Sequence, residues 1–359
     1  MTQQAVGTLA FDFEGCRPVQ IEVSNAPLTS DAGLLLFRQL DEQLRITEQF
    51  SAVLHDDRDP QQIVHSVPQL LRQRVYGILA DYQDQNDHDA LRKDPAFKLL
   101  AGRLPDGRDL ASQPTLSRFE NAVSIADLWI LRDVLMDVFI QSFAEPPRHL
   151  TLDLDAFDDS THGHQQLTLF HGFYGQYQYL PLMFTRAEGT NRRAVVTNRP
   201  GVRVLPEGVY EEYAMRGESE NRNKELKCGL QADRLSDQRF VANFLRLYLH
   251  TIAYVLLIRA RHVVALPLPT ASAAGVDSDL PPETLPEPDR RDYFNHRRRS
   301  DPLGAGHIET WRSRIIKVAA EIVVSARRIV VKISATWPHL ADFQRVLEAI
   351  RALPQLRTG

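Results

Sequence analysis

Cysteine and long apolar runs are both scarce in this sequence, and each scarcity argues against a class of protein. Only Cys16 and Cys228 occur, far apart and in no Cys-x-x-Cys spacing, which argues against a disulfide framework or thiolate metal site and favours the reducing cytoplasm. The most apolar stretch, Leu247 to Ile258, is about a dozen residues long and contains His250, whereas a bilayer span needs roughly 20. We therefore expect a buried helix there and no membrane partner. We also expect no signal peptide, because the first residues lack a basic flank followed by an apolar run.

The net charge of −4 gives no overall sign of nucleic-acid binding, but charge is unevenly distributed along the chain. Residues 1–150 carry 14 Lys and Arg against 22 Asp and Glu, whereas residues 231–359 carry 19 against 13. A basic segment such as Arg297, Arg298 and Arg299 can attract phosphate groups non-specifically. The alternative is a solvated charge run in a linker.

The first 148 residues divide into a short β segment and a helical region. Residues 1–27 alternate apolar and polar side chains around Gly15, which predicts a β-hairpin. Residues 28–148 have helical periodicity with suitable N-cap residues. Helices are predicted over residues 34–44, 61–82, 96–100, 116–123 and 125–143.

The segment from Ser112 to Phe119 has the features of a short helix entered from a turn. It offers a serine cap, a proline at the helix start and small polar residues. A helix-turn-helix motif that reads DNA has this pattern, and so has any tight helical corner. On the first interpretation Ser117 and Arg118 contact DNA, and residues 28–148 form a helical DNA-binding region.

After residue 148 the pattern changes from helix to strand. Residues 150–155 alternate leucine with polar side chains, as a strand with one buried face does. Further strands are predicted over residues 173–184 and 194–197, and helices over residues 211–230 and 243–261. Residues 149–263 are therefore predicted to form an α/β core.

The C-terminal part is predicted to be a linker followed by helices. Residues 264–306 are rich in Pro, Ala, Ser and acidic side chains, which predicts a disordered linker. Residues 310–333 alternate basic and β-branched side chains and are predicted to be helical, as are residues 341–351. Residues 307–359 are thus predicted to be basic C-terminal helices.

Four polar residues follow the spacing Y-x2-R-x3-E-x6-K, namely Tyr213, Arg216, Glu220 and Lys227. Offsets of three, four and seven residues place all four on one face of a helix. A carboxylate on this face can hold a divalent cation, while the Tyr, Arg and Lys side chains can hold phosphate oxygens of a nucleic acid. The alternative is an exposed helix in which Arg216 and Glu220 form an i,i+4 ion pair.

A second carboxylate of interest, Asp155, lies on the polar face of the predicted strand. Asp153, Asp158 and Asp159 crowd it, and crowded carboxylates are costly to ionise unless a cation is present. Asp155 is therefore a natural ligand for a hard cation. The alternative is a polar strand face followed by a turn of aspartates. A strand carboxylate combined with the later helix carboxylate of Glu220 is the plan of two-metal phosphoryl transfer.

This combination of motifs resembles the insertion-sequence branch of the DDE transposases. The Y-x2-R-x3-E-x6-K spacing is that branch's helix signature. Residues 152–182 resemble the first catalytic block of one group within the branch, residues 216–257 resemble its last block, and residues 110–121 (LASQPTLSRFEN) resemble its helical N-terminal region. The resemblance reaches from about residue 28 to residue 261 and resumes in the C-terminal helices.

The resemblance implies an RNase H-like catalytic core, a mixed sheet flanked by helices, that uses Mg2+ (or Mn2+) to activate water and then a DNA 3′-hydroxyl. By the resemblance Asp155 is the first catalytic acid and Glu220 the third, and both hold the metal. Tyr213, Arg216 and Lys227 would contact the phosphates of the transposon ends. The implied partner is double-stranded DNA, both as terminal inverted repeats and as target, and a homodimer is left open.

The sequence departs from the family pattern in two places. Phe157 stands where the family has a small hydroxyl residue. More seriously, no aspartate occurs between Ser160 and Cys228, where the family's second catalytic aspartate should lie on a strand. An internal deletion near residues 186–193 explains the loss. Glu188 could substitute, but nothing positions it in its Gly-flanked turn.

We therefore predict a transposase whose cleavage and strand transfer are impaired, with a non-catalytic DNA-binding remnant or a repressor of transposition as the alternative. A third class, a zinc hydrolase using His162, His164 and His171, has no assisting Cys or Glu at standard spacing. Residues 81–94 are rich in Asp and Asn like a calcium loop, but they lack its central Gly and closing Glu. We interpret them as a polar connection between helices.

Overall fold

The computed structural model describes residues 9–11, 19–21, 24–143, 145, 152–156, 158–161, 163–186, 221–267 and 287–354. Its helices are α1 (Leu34–Leu44), α2 (Ile46–Ala52), α3 (Val67–Leu79), α4 (His88–Leu91), α5 (Pro95–Leu100), α6 (Gln113–Ala122), α7 (Ile125–Ile140), α8 (Phe240–Val264), α9 (Glu287–Ser300), α10 (Ile308–Trp311) and α11 (Leu340–Arg351). Its strands are β1 (Leu9–Phe11), β2 (Val19–Ile21), β3 (Leu28–Thr29), β4 (Leu152–Ala156), β5 (Asp159–Ser160), β6 (Leu169–His171), β7 (Gln176–Tyr179), β8 (Leu182–Arg186), β9 (Ala320–Val324) and β10 (Ile329–Ile333). Shorter helical turns are the 3-10 helix Pro60–Gln62 and the π-helical turns Glu225–Gly229 and Arg312–Ile316.

Helix α8 lies at the centre of the hydrophobic core. It packs against α1, α3, α6, α7 and α11, because apolar side chains surround it on most sides. Of the described helices α8 alone is long and apolar enough to cross a membrane, but 67% of that window is buried inside the protein. The helix therefore has the burial of a core helix. This confirms the buried helix predicted around His250, whose side chain is also buried.

One hydrophobic core contains residues from both ends of the sequence. Phe37 of α1 packs edge to face on Trp311 of α10, with ring centroids 5.5 Å apart. Strand β3 adds to the edge of β9, with Leu28 opposite Glu321. The predicted N-terminal and C-terminal helical regions therefore fold against each other.

Most of the helices predicted in the first 148 residues are confirmed, as is the initial hairpin. Strands β1 and β2 pair antiparallel, and α1, α5, α6 and α7 coincide with four predicted helices to within three residues at either end. The helix predicted over residues 61–82 begins later, at α3. Its start is set by Ser66, whose N–H donates to Oε1 of Gln69 at 3.3 Å, and by Pro68 in the first turn.

The prediction of a helix over residues 310–333 is wrong for most of that range. Strands β9 and β10 form an antiparallel hairpin there, with Ala320 opposite Ile333 and Val324 opposite Ile329. Both strands contain consecutive β-branched residues, which favour extended backbone. Pairing of β9 with β3 adds a third strand, and these interactions outweigh the helical spacing of the basic residues.

Residues 287–306 also differ from the disordered linker predicted over residues 264–306. They form α9 and a following turn in which Tyr293, Asp301 and Leu303 are buried. One carboxylate oxygen of Asp301 accepts from the backbone N–H of Leu266 at 2.9 Å, and the other accepts from Gly304 at 3.1 Å. A composition average misses these few buried residues. Residues 268–286 lie outside the described residues.

The strands between residues 152 and 186 pair antiparallel, and the pairs β4–β8 and β5–β7 have the same register. Asp155 of β4 lies opposite Met183 of β8, and Asp159 of β5 lies opposite Tyr179 of β7. The step from Asp155 to Asp159 is four residues forward, and the step from Met183 to Tyr179 is four residues back. The β5–β7 pairing therefore continues the β4–β8 pairing along the chain. Strand β6 pairs with the other edge of β7. This mixture of helices and small sheets fits an α/β domain, while the RNase H-like sheet, its missing strand and the strand at residues 194–197 stay predictions.

Replacing Gly33 by alanine should destabilise the contact between the two ends of the chain. A Cβ at Gly33 would overlap the backbone carbonyl of Ile315, which cannot move without shifting the turn Arg312–Ile316. We expect Gly33→Ala to lower the free energy of unfolding by about 1–3 kcal/mol in urea titrations. Gly172→Ala is the matched control, because a Cβ at Gly172 would meet nothing within 4 Å. Equal unfolding midpoints for the two variants would contradict this packing.

Candidate active site

The structure describes only part of the predicted catalytic constellation. Asp155 lies in β4 with its backbone opposite Met183. Tyr213, Arg216 and Glu220 lie outside the described residues. The approach of Asp155 to Glu220 across one end of the sheet therefore stays a prediction.

Lys227 is the signature residue that the structure describes, and it contacts the segment that follows Asp155. Helical residues 221–224 continue into the π-helical turn Glu225–Gly229, which carries Lys227. Its Nζ donates to Oδ1 of Asp158 at 2.6 Å. This hydrogen bond is the main reason that the pKa of Asp158 is lower than usual. The ion pair joins the first catalytic block to the last, and because both side chains are partly exposed it adds little stability by itself.

The neighbouring Asp159 has the opposite electrostatic character. It is 1% exposed, and neither of its carboxylate oxygens has a hydrogen-bond partner in the described structure. Burial, together with repulsion from Asp233, raises the pKa of Asp159 to about 8, and Lys227 offsets this only in part. Asp159 is therefore mostly protonated at neutral pH, whereas Asp158 is held as a carboxylate.

Beside these aspartates a cleft of about 220 Å³ opens toward the helical region. Its lining includes Ser160, Asp233, Arg74, Arg246 and His250. Burial, followed by the nearby arginines, lowers the pKa of His250 to about 3, so its imidazole is neutral at physiological pH. The cleft carries fixed charges of both signs and no histidine poised to titrate near neutrality among these lining residues.

The donor atoms near Asp155 suit a hard cation, but the described residues do not complete a metal site. Carboxylate oxygens are preferred by Mg2+ and Mn2+, and the sequence from Asp155 to Asp159 contains three aspartates. No group of three or more His, Cys, Asp and Glu side chains able to hold a metal occurs among the residues that the structure describes. A complete set would need Glu220.

The other two metal motifs considered from the sequence give no site in the described part of the chain. His162 lies outside the described residues, His164 is exposed, and His171 belongs to β6. Residues 81–94 contain α4 and connect α3 to α5, as predicted. Asp94 caps α5 by accepting two backbone N–H groups at 2.8 and 2.9 Å, a role that needs no calcium.

Ser117 and Arg118 lie on α6, the helix considered as a DNA reader. Arg118 is exposed, and its guanidinium lies 3.4 Å from the hydroxyl of Thr115. Residues 101–112 separate α5 from α6, which is much longer than the three- or four-residue turn of a helix-turn-helix motif. The two helices do not form that motif, and DNA contact by Ser117 and Arg118 stays a prediction.

A buried ion network joins α6 to α3 and α8. Glu120 is fully buried and accepts from Nε of Arg74 at 2.7 Å and from Nε of Arg246 at 2.6 Å. Burial would raise the pKa of Glu120, but the two guanidinium groups outweigh it and hold the pKa below its usual value. The network has a structural role, because both carboxylate oxygens of Glu120 already accept hydrogen bonds from arginines.

Glu225, the first residue of the π-helical turn Glu225–Gly229, is a second buried carboxylate. Its oxygens accept from two guanidinium nitrogens of Arg261, from the Tyr254 hydroxyl at 3.1 Å and from the N–H of Ile308 at 2.8 Å. Burial would raise the pKa of Glu225, but the bonds from Arg261 outweigh it and lower the pKa. Glu225 thus joins the helical segment of residues 221–229, called the signature helix below, to α8 and α10, and its oxygens are occupied.

Comparison with known families decides what this arrangement belongs to. Residues 11–186 and 183–276 match the family model described as transposase DDE domain group 1, so the match spans well over half of the 359 residues. The chain belongs to this DDE transposase family. Searches of curated proteins and of solved structures gave no match.

The match to the DDE transposase family includes every predicted site residue. The segment 11–186 contains Asp155, Ser117 and Arg118, and the segment 183–276 contains the whole Y-x2-R-x3-E-x6-K signature. The two segments overlap at the end of β8, so the family model is matched in two pieces.

Several structural residues of this transposase were not predicted from the sequence, although a signal for two of them was present. Arg246 and Arg261 are cations on a mainly apolar helix, and a buried cation implies a buried partner. Their partners, Glu120 and Glu225, could be identified only from tertiary packing.

Replacing Asp159 by asparagine should remove a pH-dependent loss of stability. The unfolded chain ionises Asp159 near pH 3.8, whereas the folded state keeps the proton up to about pH 8. Because the folded state then binds the extra proton, the free energy of unfolding falls as pH rises through this window, by at most about 1.4 kcal/mol per pH unit. Chemical denaturation at several pH values should show a shallower decline for Asp159→Asn.

Asp158→Asn is the matched control for this measurement. The pKa of Asp158 is lowered rather than raised, so its contribution to stability changes only in acid, below the usual range of a carboxyl group. We expect Asp158→Asn to keep the wild-type slope between about pH 5 and pH 8. Parallel curves for wild type and Asp159→Asn would refute the buried, protonated carboxyl.

Proposed function

We propose that this chain acts on DNA as an impaired transposase, whose reaction is Mg2+-dependent (or Mn2+-dependent) strand cleavage and strand transfer in an incomplete RNase H-like core. Asp155 is the first catalytic acid and Glu220 the third. The substrate is double-stranded DNA, as element terminal inverted repeats and as target DNA. The protein acts in the cytoplasm without a membrane partner, and a homodimer is left open.

The observation that carries the proposal is the 2.6 Å ion pair between Lys227 and Asp158. Glu220 precedes Lys227 by seven residues, which is about 10 Å along a helix. Asp155 precedes Asp158 by three residues, which is about 10 Å along an extended strand. The two predicted acids are therefore at similar distances from one contact, and they can meet if strand and helix run alongside each other.

The proposed roles divide between metal binding and phosphate binding. Asp155 and Glu220 hold the metal, which supplies the Lewis acid that activates water and the DNA 3′-hydroxyl. Tyr213 and Arg216 hold phosphate oxygens of the transposon end. Lys227 does the same after it exchanges its carboxylate partner for a phosphate, an exchange that costs little because the ion pair is partly exposed.

Three observations support impairment of the reaction. A symmetric two-metal clamp needs a bridging acid, and no aspartate occurs between Ser160 and Cys228. The family match breaks into two pieces at residues 183–186, next to the predicted deletion near residues 186–193. Large apolar side chains on residues 167–177 are also widely exposed, as expected where covering structure has been lost. They are Leu167, Leu169, Phe170, Phe173 and Tyr177, between 59% and 85% exposed.

The second candidate function is a non-catalytic DNA-binding remnant or a repressor of transposition. It is favoured by α9, which ends in Arg297, Arg298 and Arg299, with Arg298 and Arg299 exposed. A basic helix end can bind phosphate without any metal site. Binding without cleavage is the outcome that separates this candidate from the first.

A cleavage assay tests the proposed catalytic acids. The substrate is a supercoiled plasmid carrying the DNA that flanks the coding sequence on both sides, incubated with Mg2+ or Mn2+ and assayed for nicks. We expect weak, metal-dependent nicking that falls to background in Asp155→Asn and in Glu220→Gln, because each change removes a metal ligand. Asp153→Asn and Glu218→Gln are matched controls that should keep the wild-type level.

Each result of this assay has a distinct meaning. Nicking that survives Glu220→Gln would refute the assigned site, and vigorous Mg2+-dependent cleavage by the wild type would refute impairment. Binding of the same DNA with no nicking in any variant would establish the second candidate. Failure to bind this DNA even at low salt would refute both candidates.

The ion pair between Lys227 and Asp158 makes a separate prediction about affinity. Asp158→Asn should tighten binding of a short DNA duplex by up to about fivefold, because Lys227 no longer has to leave a carboxylate. Lys227→Gln should weaken binding and reduce the salt slope by about one unit. Asp153→Asn controls for the general loss of one negative charge. If Asp158→Asn and Asp153→Asn have equal affinities, Lys227 does not exchange its partner for DNA.

A further inference from the structure

A small cleft lies directly beside the signature helix, on the side of the protein formed by the C-terminal segments. It has a volume of about 50 Å³, enough for a few waters or a compact oxyanion. Helical residues 221–225, the end of α8, the end of α9 and the turn at residues 304–307 form its walls. Lys227, the signature residue that the structure describes, is not among its lining residues.

The charged side chains of the cleft have a positive balance. Glu225 and Arg261 neutralise each other through two guanidinium hydrogen bonds at its base. Arg222, whose guanidinium lies 3.9 Å from Glu225, and Arg298 are two further cations among the lining residues, so three arginines surround one carboxylate. Arg298 is exposed, and no described carboxylate lies within ion-pair distance of it. The cleft therefore attracts an anion.

The turn that closes the cleft is held in place by close packing. A Cβ at Gly306 would overlap the backbone of Pro302, and a Cβ at Gly304 would overlap Asp301. Asp301 is itself buried and accepts from the backbone N–H of Leu266 and Gly304. A wall fixed in this way loses little conformational entropy when a ligand binds.

The position of the cleft relates it to the proposed catalytic acid. Asn221, which directly follows Glu220 in the sequence, lines the cleft together with Arg222 and Glu225. Asn221 and Glu225 are four positions apart and therefore lie on the same face of the helical segment that lines the cleft. A phosphate bound there would lie close to the proposed reacting strand.

We propose that the cleft between the signature helix and α9 is a phosphate-binding subsite that holds a backbone phosphate of the DNA strand next to the reacting position, with Arg298 and Arg222 as its cationic ligands. The inference rests on the proposed function for the identity of the anion as DNA. It gives α9, the helix within the predicted linker, a direct part in substrate binding.

The first arm of the test compares Arg298→Gln with Arg299→Gln. Both changes remove one positive charge from adjacent residues of α9, but only Arg298 lines the cleft. With a short duplex of the flanking DNA, we expect Arg298→Gln to weaken binding about tenfold and to reduce the salt slope by about one unit. Arg299→Gln should lose less affinity, because Arg299 contributes only to the general positive potential of the surface.

The second arm uses inorganic phosphate and the imidazole of His307, which lines the same cleft. Burial lowers the pKa of His307, Glu225 raises it, and Arg298, Arg261 and Arg222 lower it further. A bound oxyanion would offset the arginines and raise the pKa of His307. Histidine-selective NMR, assigned with His307→Gln, should show this rise on adding phosphate at constant ionic strength, in the wild type but not in Arg298→Gln.

The two arms separate failure of the subsite from failure of the proposed function. If the duplex binds but Arg298→Gln and Arg299→Gln behave alike, and phosphate leaves His307 unchanged, the subsite is refuted while DNA binding stands. If the duplex does not bind but phosphate shifts His307 in an Arg298-dependent manner, the cleft is an oxyanion site and its assignment to DNA is refuted. Arg298-specific effects in both arms establish the subsite.

Discussion

Two buried arginines on the long, mainly apolar helix α8 determine how the segments of this protein are held together. Arg246 and Arg261 of α8 each pair with a buried carboxylate from elsewhere in the chain, Glu120 and Glu225 respectively. Burying a charge is costly unless it is paired, so each arginine requires its own carboxylate beside it. Such pairs contribute modestly to stability compared with an apolar core, but removing one partner is strongly destabilising. They therefore restrict which segments can pack on α8.

The consequence for the site is an asymmetry between its two sides. The signature helix is fastened to α8 and α10 through Glu225, whose carboxylate is fully hydrogen-bonded. The segment that follows β4 is attached by a partly exposed ion pair at Lys227 and by a few contacts to the residues that precede α8, such as the bond from Gln165 to the carbonyl of Leu235 at 2.8 Å. A deletion next to β8 would weaken the strand side and leave the helix side intact. Retained DNA binding with impaired chemistry fits this division.

How far the sequence predicts the structure depends on whether the information is local. Helix α1 and the hairpin β1–β2 follow from periodicity and turn residues within one short segment, so both were predictable. Strand β9 pairs with β3, almost 300 residues earlier in the sequence, and a local sequence pattern cannot indicate so distant a pairing partner. The order of residues 287–306 depends on a few buried groups, of which Asp301 is the clearest, within a segment of polar composition.

The candidate site shows the same division. The spacing of the signature and the position of Asp155 could be read from the sequence, because a helix face and a strand face are local properties. The partner of Lys227 could not, since Asp158 is distant in sequence and neighbours several other carboxylates. The cleft beside Asn221 was equally inaccessible, because its walls come from four separate segments.

Asp159 bears on whether a nearby carboxyl group could replace the absent second acid. It lies in β5, shortly after β4, and close to Asp233, so its position in the chain is favourable. A metal ligand must be deprotonated, however, and burial keeps the pKa of Asp159 at about 8. Binding a cation there would require loss of that proton, and the side chain does not line the neighbouring 220 Å³ cleft. Asp159 thus has a carboxyl group of the right kind for a metal ligand, but it is buried and protonated. Membership of the transposase family therefore does not by itself imply full catalytic activity for this chain.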